Sequence, residues 1–134
     1  MTSWWMLDRA LLGLLLIATP VVAQGVEVKR AAVVLYGSAT NTSQPATIDM
    51  RKVEKETPEY ETIKSEGVEK GSARYEILMA KMRKRIRDAA KAAAEDASCD
   101  CVIRAGDIVD DHGLSPADLT KEVIEQLEST DQAA

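Results

Sequence analysis

Few residues in this chain of 134 could do chemistry, and they fall in three places. The single histidine, His112, follows Asp110 and Asp111 and precedes Gly113. An imidazole beside two carboxylates offers metal-ligand chemistry, but three consecutive residues rarely converge on one ion, so the plainer reading is a solvated turn. Cys99 and Cys101 form a Cys-x-Cys pair. On a strand, residues two apart share a face, so both thiols are expected to point the same way, and a direct bond between them would be strained. Buried free thiols, a disulfide to a partner and soft-metal binding all remain open, although no second Cys pair or His cluster completes a tetrahedral site.

The third place is a run of cations, Lys81, Arg83, Lys84, Arg85 and Arg87, threaded through the apolar residues Met79, Met82 and Ile86. In a helix these side chains would surround the Met82–Ile86 stripe, where they suit acidic clients or anionic lipid headgroups. A solvated face paired with Glu76, Glu95 and Asp96 explains them too. No Ser-His-Asp set can be assembled around one turn histidine, and no glycine-rich phosphate loop occurs. The expectation is a protein that is not an enzyme, with no cofactor and no resident metal.

The amino terminus bears on where the protein works. Residues 10–18 are apolar without a charge, too short for a helix that must span with about 20 apolar residues, but the length of a signal-peptide core. Pro20 then breaks a helix, and Val21-Val22-Ala23 presents small or β-branched side chains, so cleavage is expected after Ala23. Asp8 offsets Arg9, which weakens the usual positive end, and an uncleaved anchor is the alternative. No Cys follows the apolar run, so a lipid anchor is not expected. With a net charge of −5 the chain gains nothing from counterion release on nucleic acid. Both Trp precede the expected cut and Phe is absent, so a core built from Val, Ile, Leu, Met, Ala and Tyr is small, and self-association would help complete it.

Positioning elements follow from periodicity. Val26 and Val28 alternate in a polar lead-in, residues 31–36 form a β-branched run closed by Gly37, and loop formers continue to Pro45. Asn41-Thr42-Ser43 matches a glycosylation sequon but reads most simply as a polar loop. Residues 46–50 alternate like a strand. Thr57-Pro58-Glu59 is a helix start running to Gly67, and Ser72 caps a second helix of about 39 Å whose stripe includes Tyr75, Leu78, Met79, Met82, Ile86 and Ala89. Strands are expected over 99–103 and at Ile108-Val109. Ser115-Pro116-Ala117-Asp118 has the form of a capping box before a last helix with Leu119, Val123, Ile124 and Leu127. Residues 130–134 are expected to be disordered.

The order of three motifs resembles the Skp/OmpH family of periplasmic chaperones. Ala46-Thr47-Ile48-Asp49-Met50-Arg51-Lys52-Val53 with Thr57-Pro58-Glu59 is similar to that family's first strand and entry into its first long helix. Arg85-Ile86-Arg87-Asp88-Ala89-Ala90, then Asp100-Cys101-Val102-Ile103, resembles its return helix and re-entering strand. Asp118-Leu119-Thr120-Lys121-Glu122-Val123-Ile124 resembles its closing segment. The resemblance implies an α+β fold, a small β-sheet body with an antiparallel helical hairpin over about 58–97 and a C-terminal helix. It also implies a trimer, a soluble periplasmic location and a holdase function toward unfolded outer-membrane proteins. The hairpin is far shorter than the family's tentacles, and the segment from Val26 to Tyr36 has no place in the family pattern. The alternatives are an envelope adaptor that docks onto one folded partner, and a small thiol-redox or metal-handling protein using Cys99 and Cys101.

Overall fold

A computed structural model describes residues 25–132, so the expected signal peptide and Ala133-Ala134 lie outside the described residues. The elements are β1 (Glu27–Val28), β2 (Val34–Gly37), a 3-10 turn (Ala39–Asn41), β3 (Pro45–Ile48), α1 (Met50–Lys55), α2 (Pro58–Ser65), α3 (Ala73–Asp96), β4 (Cys101–Arg104), β5 (Ile108–Asp110), β6 (Ala117–Asp118) and α4 (Thr120–Gln132). The fold is α+β, as expected.

The main sheet has the order β2-β4-β3-β6. β3 runs parallel to β4 and to β6, while β2 runs antiparallel to β4. A parallel β3–β4 pair requires a crossover, and α1, α2 and α3 supply it. The helices cover one face of the sheet, where Ala46, Ile48 and Val102 meet Val53, Met82, Ile86, Ala90, Val123 and Leu127. The other face of β4 presents Cys101 and Ile103 to Val26 and Ala39, with Val28, Ile108 and Leu114 packed around them. That second layer is the small antiparallel β1–β5 ribbon, which gives the N-terminal segment its place.

Local sequence accounts for most boundaries. The Thr57 hydroxyl accepts the Tyr60 N–H with Pro58 at the first helical position, and the Ser72 hydroxyl accepts the Tyr75 N–H, so α2 and α3 begin at the expected caps. α3 has 24 residues and is roughly 36 Å long. Its alanines at 89, 90, 93 and 94 are buried, letting the helix lie close on the sheet and α4. A bulge between Val34 and Tyr36 turns consecutive Leu35 and Tyr36 toward the main core, which regular alternation would prevent.

Three expectations are corrected. Residues 49–50 do not extend the strand: the Asp49 carboxylate accepts the Arg51 and Lys52 N–H groups and starts α1. The Ser115–Asp118 box does not cap a helix, because Ser115 has φ +52 and Ala117–Asp118 pairs with β3 as β6. Asp118 instead accepts the Thr120 N–H and hydroxyl, and α4 begins there. Residues 130–132 are helical rather than disordered, with the Thr130 hydroxyl donating to the Gln126 carbonyl and Asp131 held by Arg85.

Gly37 ends β2 at φ +74, and a Cβ there would stand 2.0 Å from the Asp100 carbonyl oxygen. Gly106 has φ +90 but open space around it. Gly37→Ala is expected to cost at least about 2–3 kcal/mol and Gly106→Ala about 1 kcal/mol, read as the difference in urea midpoints at constant slope.

Candidate functional site

Helical period divides the basic run of α3 between two faces. Arg85 leans toward α2 and α4, where its Nε lies 3.1 and 3.0 Å from the two Glu59 carboxylate oxygens and its Nη1 is 2.9 Å from Asp131. Glu59 is only 7% exposed, so Arg85 neutralises a buried carboxylate. The hydrogen bond to Glu59, opposed by burial, holds the Arg85 guanidinium above its ordinary pKa. Lys81, Lys84 and Arg85 share a depression of about 340 Å³ on this side with Glu59, Asp88 and Gln126. Lys84 itself pairs with Asp88 at 2.8 Å. On this side Lys84 and Arg85 are paired with carboxylates, while Lys81 makes no ion pair among the described residues.

Arg83 and Arg87 point the other way, with Met79, into a groove of about 330 Å³ between α3, α1 and strand β2. Val33, Val34, Leu35 and Met50 line its apolar part, and Arg104 and Glu54 complete the rim. Arg104 is bound to Asp107 at 2.8 Å, but Arg83 and Arg87 have no ion pair among the described residues. Four residues apart on one helix, they repel each other by about 0.2–0.5 kcal/mol. β2 is an edge strand of the sheet, and Val34 is exposed there.

The expected contact set is therefore split. Met79, Arg83 and Arg87 share the groove, Lys81, Lys84 and Arg85 lie on the α4 side, and Met82 and Ile86 are core residues, 2% and 0% exposed. The last two face the sheet because they sit on the stripe of α3 that packs, so they are not contacts for a client. Sequence reasoning missed Val34, Leu35, Met50 and Arg104, which come from segments distant in sequence.

The thiol pair does not share a face. Cys99 precedes β4, just after Ser98 at φ +57, and packs against the helical core, while Cys101 belongs to the layer under β1–β5. Both are free thiols. Burial, reinforced by Asp100, raises both thiol pKa values, Cys101 to about 11. The His112 turn is also rearranged: the Asp111 carboxylate accepts the Gly113 N–H, and it is Glu27 of β1 that joins Asp110 and His112, with ligating atoms all within 4.8 Å of one another.

Asp100 clamps the loop between β2 and β3. Its carboxylate accepts the Thr42 hydroxyl, the Ser43 hydroxyl and N–H, and the Gln44 N–H, so residues 42 and 43 of the sequon serve as loop anchors. Burial alone would raise the Asp100 pKa, but these donors outweigh it and hold it below the ordinary aspartate value. Asp107 behaves likewise, accepting the Val33 N–H and the Arg104 guanidinium.

No protein-family model matches the chain, and no curated protein and no solved structure is found similar to it. Among the described residues no helix is long and apolar enough to cross a membrane.

Two outcomes are expected. Arg85→Ala leaves Glu59 buried without its cation and should lower stability by about 2–3 kcal/mol, whereas Arg83→Ala should change it by less than about 0.5 kcal/mol; thermal denaturation of the two variants side by side separates them. Cys101 has no exposed surface and a raised pKa, so alkylation at pH 8 should modify Cys99 first and reach Cys101 only when the chain unfolds, which mass spectrometry of the labelled peptides would show.

Proposed function

We propose that this protein is an exported, non-enzymatic chaperone-like protein that holds apolar, acidic segments of unfolded envelope proteins in the Met79–Arg83–Arg87 groove. The observation that carries the proposal is the pairing, in one groove, of an apolar floor with two guanidiniums that make no ion pair among the described residues. Burial of apolar surface supplies binding without strict geometry, Met79 adapts its shape, and the arginines favour acidic clients over basic ones. The resemblance of residues 46–59, 85–103 and 118–124 to motifs of the Skp/OmpH family supports the same reading.

Arm length decides how such a protein would work. α2 has 8 residues, roughly 12 Å, against the roughly 36 Å of α3. Arms this unequal cannot enclose a folded-size client, so the proposal is surface capture of a segment rather than containment in a cavity. Assembly into a trimer and a periplasmic location belong to the same proposal, and self-association would place several grooves on one particle and raise avidity without new contacts.

In a light-scattering assay, a several-fold molar excess of the protein should suppress aggregation of a denatured outer-membrane β-barrel protein diluted into buffer. Arg83→Glu/Arg87→Glu should abolish suppression while retaining the native circular dichroism spectrum. The charge-matched Lys70→Glu/Lys121→Glu should retain it. Absence of suppression by the unsubstituted protein would sink the chaperone reading and favour the adaptor.

A further inference from the structure

The β1–β5 ribbon sets two carboxylates against each other and delivers the chain's single histidine to them. Glu27 is directly paired with Asp110 across the two strands. Like charges opposite each other on a strand pair are destabilising, yet neither carboxylate has a lysine or arginine at ion-pair distance among the described residues. His112 comes to the same place because its N–H donates to Asp110 Oδ1 at 2.9 Å and its backbone holds φ +50. Its Nδ1 then lies 3.7 Å from Asp110 Oδ2, too far for a hydrogen bond. Two ligands about 2.1 Å from a tetrahedral zinc stand roughly 3.4 Å apart, so that gap is close to what a shared ion requires.

We propose that Glu27, Asp110 and His112 form a binding site for a first-row transition-metal dication of the zinc type. One imidazole nitrogen and two carboxylate oxygens are the donor set such an ion takes, with water in the fourth position. Calcium and magnesium demand more oxygen ligands and are poorly served by an imidazole. The three side chains are exposed, and their ligating atoms already lie within 4.8 Å of one another, against the roughly 3.4 Å that a shared tetrahedral ion sets. The site joins residue 27 to residues 110 and 112, and so ties the N-terminal strand to the β5–β6 turn. A two-stranded ribbon of two and three residues is marginal by itself. Metal binding would order it, and with it the layer that covers Cys101 and Ile103.

The sole histidine makes the test direct. The protein, processed as in the cell, purified without an affinity tag and stripped with a chelator, is titrated with zinc chloride while the imidazole proton resonances are followed by NMR and the heat by calorimetry. The expected result is saturation at one zinc per chain with displacement of the His112 resonances, unaffected by excess magnesium. Glu27→Gln should weaken binding by roughly tenfold or more, and Asp111→Asn, in the same turn but outside the site, should bind as the parent does. Imidazole resonances that do not move at saturating zinc, or equal affinity in Glu27→Gln, would overturn the proposal. Amide exchange of Val28 and Ile108 gives a second reading in the unsubstituted protein, slowing on zinc addition if the ion staples the ribbon and unchanged if it does not.

Discussion

Strand β4 must bury both of its faces, and the rest of the chain is arranged to let it. Val102 points into the helical core while Cys101 and Ile103 point away from it, and all three have no exposed surface. A strand in that position needs partners on both edges and a layer over each face. β2 and β3 take the edges, the helices take one face, and β1 with β5 takes the other. The N-terminal segment is thus the second lid of the sheet. Without it, Cys101 and Ile103 would be open to water, at a cost of about 1.5–3 kcal/mol for an isoleucine-sized side chain.

Strand ends are secured by aspartates rather than by apolar contacts. Asp100 anchors the loop before β3, Asp107 ties residue 33 to Arg104, Asp49 starts α1, and Asp118 starts α4. Asp100, Asp107 and Asp118 are all held below the ordinary aspartate range. For Asp118 the Thr120 hydroxyl is the main cause, whereas at Asp100 and Asp107 burial works against the donors and loses. A carboxylate whose folded pKa is depressed stabilises the fold above its unfolded pKa, and that contribution drains away as the pH falls through the folded value. The acidic character of the chain is therefore partly structural.

How much of this was legible depended on whether the signal was local. The caps at Thr57 and Ser72, the proline at 58 and the stripe of α3 lie within a few residues of the elements they define, and those helices begin where expected. Ser115-Pro116-Ala117-Asp118 is equally local but misleads, because the pairing of Ala117 with Ala46 is decided about 70 residues away. The short α1 escaped because Asp49, read as one beat of a strand alternation, is a cap. Asp110, His112, Met79, Arg83 and Arg87 were candidates from the sequence, but Glu27 beside the first two and Val34, Leu35, Met50 and Arg104 beside the others were not, for one reason. Each site takes residues from segments whose neighbourhood only the sheet order establishes.

The run Lys81 to Arg87 shows why a charge cluster in sequence is not yet a charge cluster in space. A rotation of 100° per residue carries Arg85 to the side opposite Arg83 and Arg87, and there it meets a carboxylate that α2 has buried. Its charge is spent on holding α2 and α4 against α3. Arg83 and Arg87, four residues apart, make no ion pair among the described residues, and they line a groove with apolar residues of β2 at the edge of the sheet. Removing Arg85 should loosen the body, and removing Arg83 should leave it intact, so a defect in binding seen only with the latter could not be a folding defect. The helix thus keeps the structural Arg85 on a different face from Arg83 and Arg87, and those two arginines can be altered without disturbing the core beneath the groove.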